Sequence, residues 1–598
     1  MSSFSRTNNL SVSTLIAVAI FFGILTGYGL TALGFGPSIQ LQSCIQPLPE
    51  SIVIIQDSDV VASNQSPQDT QLSAAEFELQ YLKDIVARTD GFYARDYSLW
   101  LGWNNMRYII ETALVHGRVL NRTTIIPSFV YARACEFNIE TCAAFATMVN
   151  RGDATGSDEW RHLPIEQQMA WRIPISLMFN LTHLQQSHSV ITVSDYLRLH
   201  NISSDVETSA GPWDIGIYHL RDASGSPQPS LHVIQNSWYD PDDIIRVDRI
   251  SADMRRRGGW RSEGGDSSRG QVGSWDDTSD SEIYHALMDV LPGGKPLLSW
   301  GDVRRVVEDG ESITPESSDE AVGDVLRENG FEVLYTYEGA AGGEAVKDVI
   351  LPIRMSVPRH RMRGLYEDYR NITSRVLLLR GEVHNGRKPG SLYFTSEASR
   401  SRYSQTVLYD MRLTDNVLDL AEQLKERLLT LNGGRLWMAA HMRRGDFARL
   451  NWVMEADFKQ HLERIKRHLR EGRDILISMH GGVAGTYNVP DATPDLSLVS
   501  LDPPEPDDKY YIATDERDPE NLQYLREQGA VLITDLLTKD DRIKFGWSIM
   551  LTDVLSLLEQ ATLSRAAYFY AHALSSVAGG VMNLRAGSGA DPRTALLD

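Results

Sequence analysis

The sequence predicts an α/β protein of two lobes set behind an N-terminal membrane anchor. Three observations carry this. At 598 residues the chain exceeds what one ordinary core accommodates. Short β-branched runs alternate with amphipathic helical stretches in two separate regions, the pattern of α/β units. And no charged residue occurs from Thr7 to Pro49, with an apolar or small run from Leu15 to Leu33, long enough to cross a bilayer of roughly 30 Å.

Arg6 precedes that run and Glu50, Asp57 and Asp59 follow it, so the positive-inside rule predicts a type II signal-anchor. The expected divisions are a cytosolic tail at 1–12, a transmembrane helix at 13–35 and a disordered stem at 36–74. The bulk of the chain is then lumenal, in the endoplasmic reticulum or Golgi. A cleaved signal peptide is the alternative, since small residues cluster at 31–36. Sequons at Asn64, Asn121, Asn180, Asn201 and Asn371 suit either case.

The composition, 42% hydrophobic with 12 Trp and 23 Tyr, fits a packed globular body. A net charge of -21 argues against a nucleic-acid partner, because no overall cationic field meets a phosphate backbone. Any local cluster of arginines is informative against that average. The three cysteines, Cys44, Cys135 and Cys142, leave a Cys135–Cys142 bridge and two buried thiols equally open.

The first lobe is expected over 75–430. A helix at 75–87 is followed by one whose Met106, Ile109, Ile110, Ala113, Leu114 and Gly117 recur at helical spacing. Strands are expected at 123–126, 189–193, 215–219, 230–234, 331–335 and 376–379, with a helix at 321–329. The stretch 253–280, rich in Arg, Gly, Ser and Asp, reads as a disordered insertion. The second lobe is expected over 431–598, after a helix capped by Thr414 or Asp415. Its strands are expected at 436–440, 475–479, 510–513, 531–533 and 567–570, with a loop insertion at 489–508.

In the second lobe, three polar stretches each follow the carboxyl end of an expected strand, where open α/β sheets bind ligands. The first is His441-Met442-Arg443-Arg444-Gly445-Asp446-Phe447. An arginine there suits a diphosphate, because its planar fork donates two hydrogen bonds and keeps its charge. One arginine can face a ligand while the other pairs with Asp446, although alone the string reads equally as a structural Arg–Asp pair. The second is Ala513-Thr514-Asp515, with Asp515 placed to bond a nucleoside or to tether its turn. The third is His572-Ala573-Leu574-Ser575-Ser576, whose hydroxyls open a helix and can donate to phosphate oxygens.

Together with Leu101-Gly102-Trp103-Asn104-Asn105-Met106-Arg107, these stretches, in this order, resemble the O-fucosyltransferase family across about residues 100–585. The resemblance implies a GT-B architecture of two facing Rossmann-like lobes, with the donor GDP-fucose held by the C-terminal lobe. It implies no metal or other cofactor, inversion at the anomeric carbon, and a protein or glycan acceptor. Arg443 carries over as the diphosphate ligand that helps the leaving group depart. His441, Arg444, Asp446, Asp515, Ser575 and Ser576 carry over to the donor side. Gly102, Asn104, Asn105 and Arg107 would line the cleft from the acceptor lobe.

Two departures matter. Part of the family has an acid before the glycine of the Gly-x-Asn turn, where this chain has Leu101, so the proton acceptor is unassigned and Glu111 is only a weak candidate. His572 stands where the family often has Asn. Two other functions compete: a non-catalytic lumenal protein of the same fold that binds nucleotide sugars or glycans, and a metal-dependent GT-A enzyme using Asp240 and Asp242.

Overall fold

Short runs rich in Val, Ile, Leu, Tyr and Ala, buried on both sides at the sheet centres, build two parallel sheets. The computed structural model describes residues 74–598 apart from segments 151–161, 208–219, 222–226, 236–238, 240–242, 267–269, 277–278, 339–348 and 381–391 and positions 98, 100 and 229. The tail, the transmembrane helix and all but the last residue of the stem therefore lie outside the described residues. So do the strand expected at 215–219 and the Asp240/Asp242 pair. Among the described residues no helix is long and apolar enough to cross a membrane. Residues 72–598 form one compact unit.

The first sheet has five parallel strands in the spatial order Val190–Thr192, Thr123–Ile126, Phe92–Arg95, Val376–Arg380, Leu231–Gln235. Its central strands are buried on both faces. Arg122 brackets their amino ends by donating to the carbonyls of Phe92, Ile372, Ser374 and Arg375. The helix Trp103–Val119 lies so close to the strand Thr123–Ile126 that a Cβ at Gly117 would collide with the Thr124 hydroxyl. That glycine sets the helix-to-sheet distance.

The second sheet is ordered Ala530–Val531, Tyr510–Thr514, Met438–Met442, Tyr568–Ala571, Ala595–Leu597, again all parallel. Alternation along Tyr510–Thr514 splits its side chains between two cores. Tyr511 and Ala513 join a large core that is continuous through both sheets, while Tyr510 and Ile512 face a second core beneath the helix Phe458–Met479. The helices Asp415–Leu431, Thr552–Ser564 and Ser576–Gly587 pack into the shared core and so join the sheets.

Two expectations are corrected, and one strand is found in a separate sheet. The strand expected at 475–479 is the last part of the helix Phe458–Met479. Its short apolar run has no distinctive period alone, but buried Leu462, Ile465, Leu469, Leu476 and Met479 continue one helical face. The strand expected near 331–335 exists as Phe331–Tyr337, but in an antiparallel sheet with Pro352–Pro358 and Leu298–Ser299. The insertion expected to be disordered at 253–280 is folded where described. It opens with the helix Ala252–Arg257, and Trp260 packs edge-on against Trp275. The Trp275 indole donates to the Met362 carbonyl, and Arg363 donates to the carbonyls of Val272 and Gly273. Two tryptophans in a polar, glycine-rich stretch supply the apolar anchor that its overall composition conceals.

Arg585 positions the helix Ser576–Gly587 from its far end. It is fully buried and donates to the carbonyls of Ser564, Ala566, Ala567 and Thr594 and to the Thr594 hydroxyl. Burial lowers its pKa to about 10. Arg585→Met removes these donors from buried carbonyls and is expected to destabilise the fold by about 3 kcal/mol, read as a lower urea midpoint.

Candidate functional site

In chain order the second sheet reads 3-2-1-4-5. The connections leave in opposite directions from Met438–Met442 and Tyr568–Ala571, which opens a crevice at their carboxyl ends. Arg443 is the residue after the first of these strands and His572 the residue after the second. Asp515 follows the neighbouring strand Tyr510–Thr514, whose Thr514 hydroxyl donates to the Met442 carbonyl at 2.8 Å.

Asp515 clasps the turn that carries Arg443. Its Oδ1 accepts the backbone N–H groups of Arg444 at 2.7 Å and Gly445 at 3.1 Å. Its Oδ2 pairs with the Arg443 guanidinium at 2.7 Å, both side chains being 27% exposed. Glycine at 445 is required by this approach, because a Cβ would run into the Asp515 carboxylate. The Arg443 guanidinium also lies over the Phe447 ring, 5.3 Å from its centroid. The arginine is thus held at the crevice mouth by a carboxylate on one side and an aromatic face on the other.

The remaining residues of the string divide by role. Arg444 is used structurally: it donates to the carbonyls of Glu455 and Ala456 and lies over Phe458. His441 is 6% exposed, and its Nδ1 has no hydrogen-bond partner among the described residues. Burial, reinforced by Arg443, His461 and His572, lowers its pKa to about 3. His461, behind Arg444, is lowered to about 4, mainly by burial. Both imidazoles are therefore neutral near pH 7, and the positive charge is concentrated on the arginines. The side chain of Asp446 lies outside the described residues.

From the first sheet's side, Gly102 caps the helix Trp103–Val119, and half-buried Asn104 and Asn105 occupy its first turn. This turn meets the start of the helix Ser576–Gly587. The Tyr108 hydroxyl donates to the Ser576 carbonyl at 3.1 Å, and Asn104 Oδ1 would lie 3.8 Å from a Cβ at Gly580. Ser575 is the N-cap residue of that helix and is buried. The structure thus brings Asn104 to the Ser576 helix, and Asp515 to Arg443. Arg107, expected to line the cleft, is buried, with its guanidinium on Glu111 at 2.7 Å and on the Val407 carbonyl. That pair also holds Glu111 in a structural position.

Loop 133–136, beside Gly102, docks on the second sheet's helices. Thr552 N–H donates to the Ala134 carbonyl, and Glu136 N–H to Met550. Asp553 accepts the Arg133 N–H at 2.6 Å, and Glu136 pairs with Arg542 at 2.6 Å. A Cys135–Cys142 disulfide closes this loop, deciding between the two states left open by sequence. Sequence reasoning overlooked Glu559, on the helix Thr552–Ser564. Burial and the like charges of Glu136 and Asp515 raise its pKa to about 8. Its signal was a single acid beyond the first turn of the helix, between Leu557, Leu558 and Ala561.

Fold and site together define an α/β protein with a clasped arginine at a topological switch point. No protein-family model and no curated protein matches the chain. Among solved structures it is similar to POFUT1 in complex with GDP-fucose, with 11% identity, 85% of this chain and 98% of that chain covered, and a TM-score of 0.29. POFUT1 in complex with GDP is similar at 10% identity, the same coverage and a TM-score of 0.30. At those scores the likeness transfers no residue role.

Asp515→Ala removes the acceptor for two backbone N–H groups and the partner of Arg443. It is expected to destabilise the fold by about 2 kcal/mol and to speed amide hydrogen exchange at Arg444 and Gly445. Unchanged exchange there would contradict the clasp.

Proposed function

We propose that this protein is a metal-independent, inverting glycosyltransferase that moves fucose from GDP-fucose to a hydroxyl of a protein or glycan acceptor. The single observation that carries the reading is Arg443, fixed by Asp515 at the switch point of a parallel sheet. That is where such folds bind nucleotides. The order of the four motifs, as in the O-fucosyltransferase family, supports fucose and GDP in particular. In this GT-B reading residues 431–598 hold the donor, and residues 75–430 present the acceptor across Gly102, Asn104 and Asn105.

Breaking the bond between sugar and diphosphate leaves negative charge on the departing GDP. Arg443 meets that charge already oriented, so no reorganisation is needed as it develops. The start of the helix Ser576–Gly587 makes the same corner favourable to phosphate. The Cys135–Cys142 disulfide supports an oxidising, lumenal compartment, in keeping with a type II protein of the endoplasmic reticulum or Golgi.

Purified protein is expected to be thermally stabilised by GDP and GDP-fucose but not by UDP, and to transfer or hydrolyse GDP-fucose in the presence of EDTA. Arg443→Ala should lower turnover about 10²–10³-fold. Stabilisation by UDP alone would overturn the GDP assignment. Abolition of turnover by EDTA would favour the GT-A alternative through Asp240 and Asp242, and GDP binding without turnover would favour the non-catalytic one.

A further inference from the structure

The transferase reading makes no use of the sequons. Those at Asn121, Asn180, Asn201 and Asn371 lie in described residues, and Asn64 lies outside them. Asn121, Asn201 and Asn371 are exposed, and each stands one residue past the C-cap of a helix, at Leu120, His200 and Arg370. Asn121 and Asn201 take φ values of 53° and 52°, the left-handed region that asparagine adopts at helix ends more readily than most residues. Asn180 differs. It is half-buried and caps the helix Leu181–Ser187, its Oδ1 accepting the His183 N–H at 2.9 Å. Its own backbone N–H donates to the Arg412 carbonyl at 2.8 Å.

The three exposed sites gather at one end of the first sheet. Arg122, next to Asn121, donates to the carbonyl of Ile372, next to Asn371, at 2.6 Å, so the two turns lie side by side. The Asn121 carboxamide donates to the Asp90 carboxylate at 2.7 Å, and its carbonyl accepts the Asp90 N–H at 2.9 Å. The ring of His200, next to Asn201, lies 5.4 Å from that of Phe92, the first residue of the central strand. All three therefore surround the amino ends of the strands Phe92–Arg95, Thr123–Ile126 and Val376–Arg380. Gly102 and Asn104 follow the opposite, carboxyl end.

We propose that Asn121, Asn201 and Asn371 carry N-linked oligosaccharides, which cover the amino-end face of the first sheet and leave its carboxyl ends bare. The assignment rests on the lumenal reading above. The co-reactant is an oligosaccharide carried on a lipid diphosphate. The asparagine Nδ2 bonds to the anomeric carbon as the bond from that carbon to the diphosphate breaks. The electron pair leaves with the lipid diphosphate, and one amide proton is lost to solvent. An asparagine amide has two hydrogens, so a modified Asn121 keeps one N–H for Asp90. The sites differ in timing. The sequon hydroxyl of Asn121 is that of Thr123, buried and hydrogen-bonded to the Thr89 hydroxyl at 2.6 Å. That site is modified before the strand Thr123–Ile126 joins the sheet. Ser203 and Thr373, the corresponding residues of the other two, stay exposed in the folded protein.

The test is site mapping on the full-length protein made in cells with a glycosylating secretory pathway, with its compartment read by protease protection in sealed vesicles. Amidase release of N-glycans turns each occupied Asn into Asp, and peptide masses should mark Asn121, Asn201 and Asn371 but not Asn180. Asn201→Gln and Asn371→Gln should each remove one step of the glycosidase-sensitive gel shift. Mapping of the parental protein does not depend on how any variant folds. Protein that is shielded from protease but unmarked at the three positions overturns the glycan assignment alone. A mark at Asn180 in place of the three overturns the choice of face. Protein that is open to protease and unmarked overturns the lumenal reading, and this one with it.

Discussion

The docking of residues 133–136 onto the start of the helix Thr552–Ser564 is the constraint on which the site depends. Arg443 and Asp515 stand on one parallel sheet, and Gly102 and Asn104 on a helix packed against the other. Backbone pairing at Ala134 and Glu136, the Asp553 contact to the Arg133 N–H and the Glu136–Arg542 pair fix one half against the other. These are short-range, directional bonds at an interface that the shared apolar core alone would leave free to slide. The Cys135–Cys142 disulfide keeps the docking loop compact.

Given that frame, the electrostatics of the cleft invert the character of the chain. A protein of net charge -21 concentrates Arg443 and Arg444 at one strand end, flanked by histidines kept neutral by burial and by those same arginines. The two arginines share an origin in the sequence but not a task. Arg444 ties its turn to the carbonyls of Glu455 and Ala456, and so leaves Arg443 at the crevice mouth. On the facing side, Asp553 holds the Arg133 N–H and Glu136 holds the Arg542 guanidinium.

Much of the architecture was legible in one dimension. Buried strands announce themselves by β-branched and aromatic runs, and the helix at 103–119 by its period. The motif order located Arg443, Asp515, Ser575 and Asn104 because each sits immediately past a strand end or in the first turn of a helix, and both boundaries have local signals. What failed were segments whose fate depends on distant partners. The apolar end of the helix Phe458–Met479 read as a strand, and the Arg/Gly-rich insertion read as disordered until Trp260 and Trp275 found Met362 and Arg363.

Sequence alone determined the α/β class and the approximate places of the strands that carry Arg443 and Asp515, because these follow from periodicity and turn chemistry within a few residues; the strand expected at 436–440 ends two residues later, at Met442. Only the tertiary structure decided which side chains are engaged and which are not. It paired Arg443 with Asp515 across 72 positions of chain rather than locally. It locked Arg107 onto Glu111 and enclosed Glu559 beside the like charges of Glu136 and Asp515. The physical reason is that a charge is set by what surrounds it in space, and burial and counter-charge are supplied by residues hundreds of positions away.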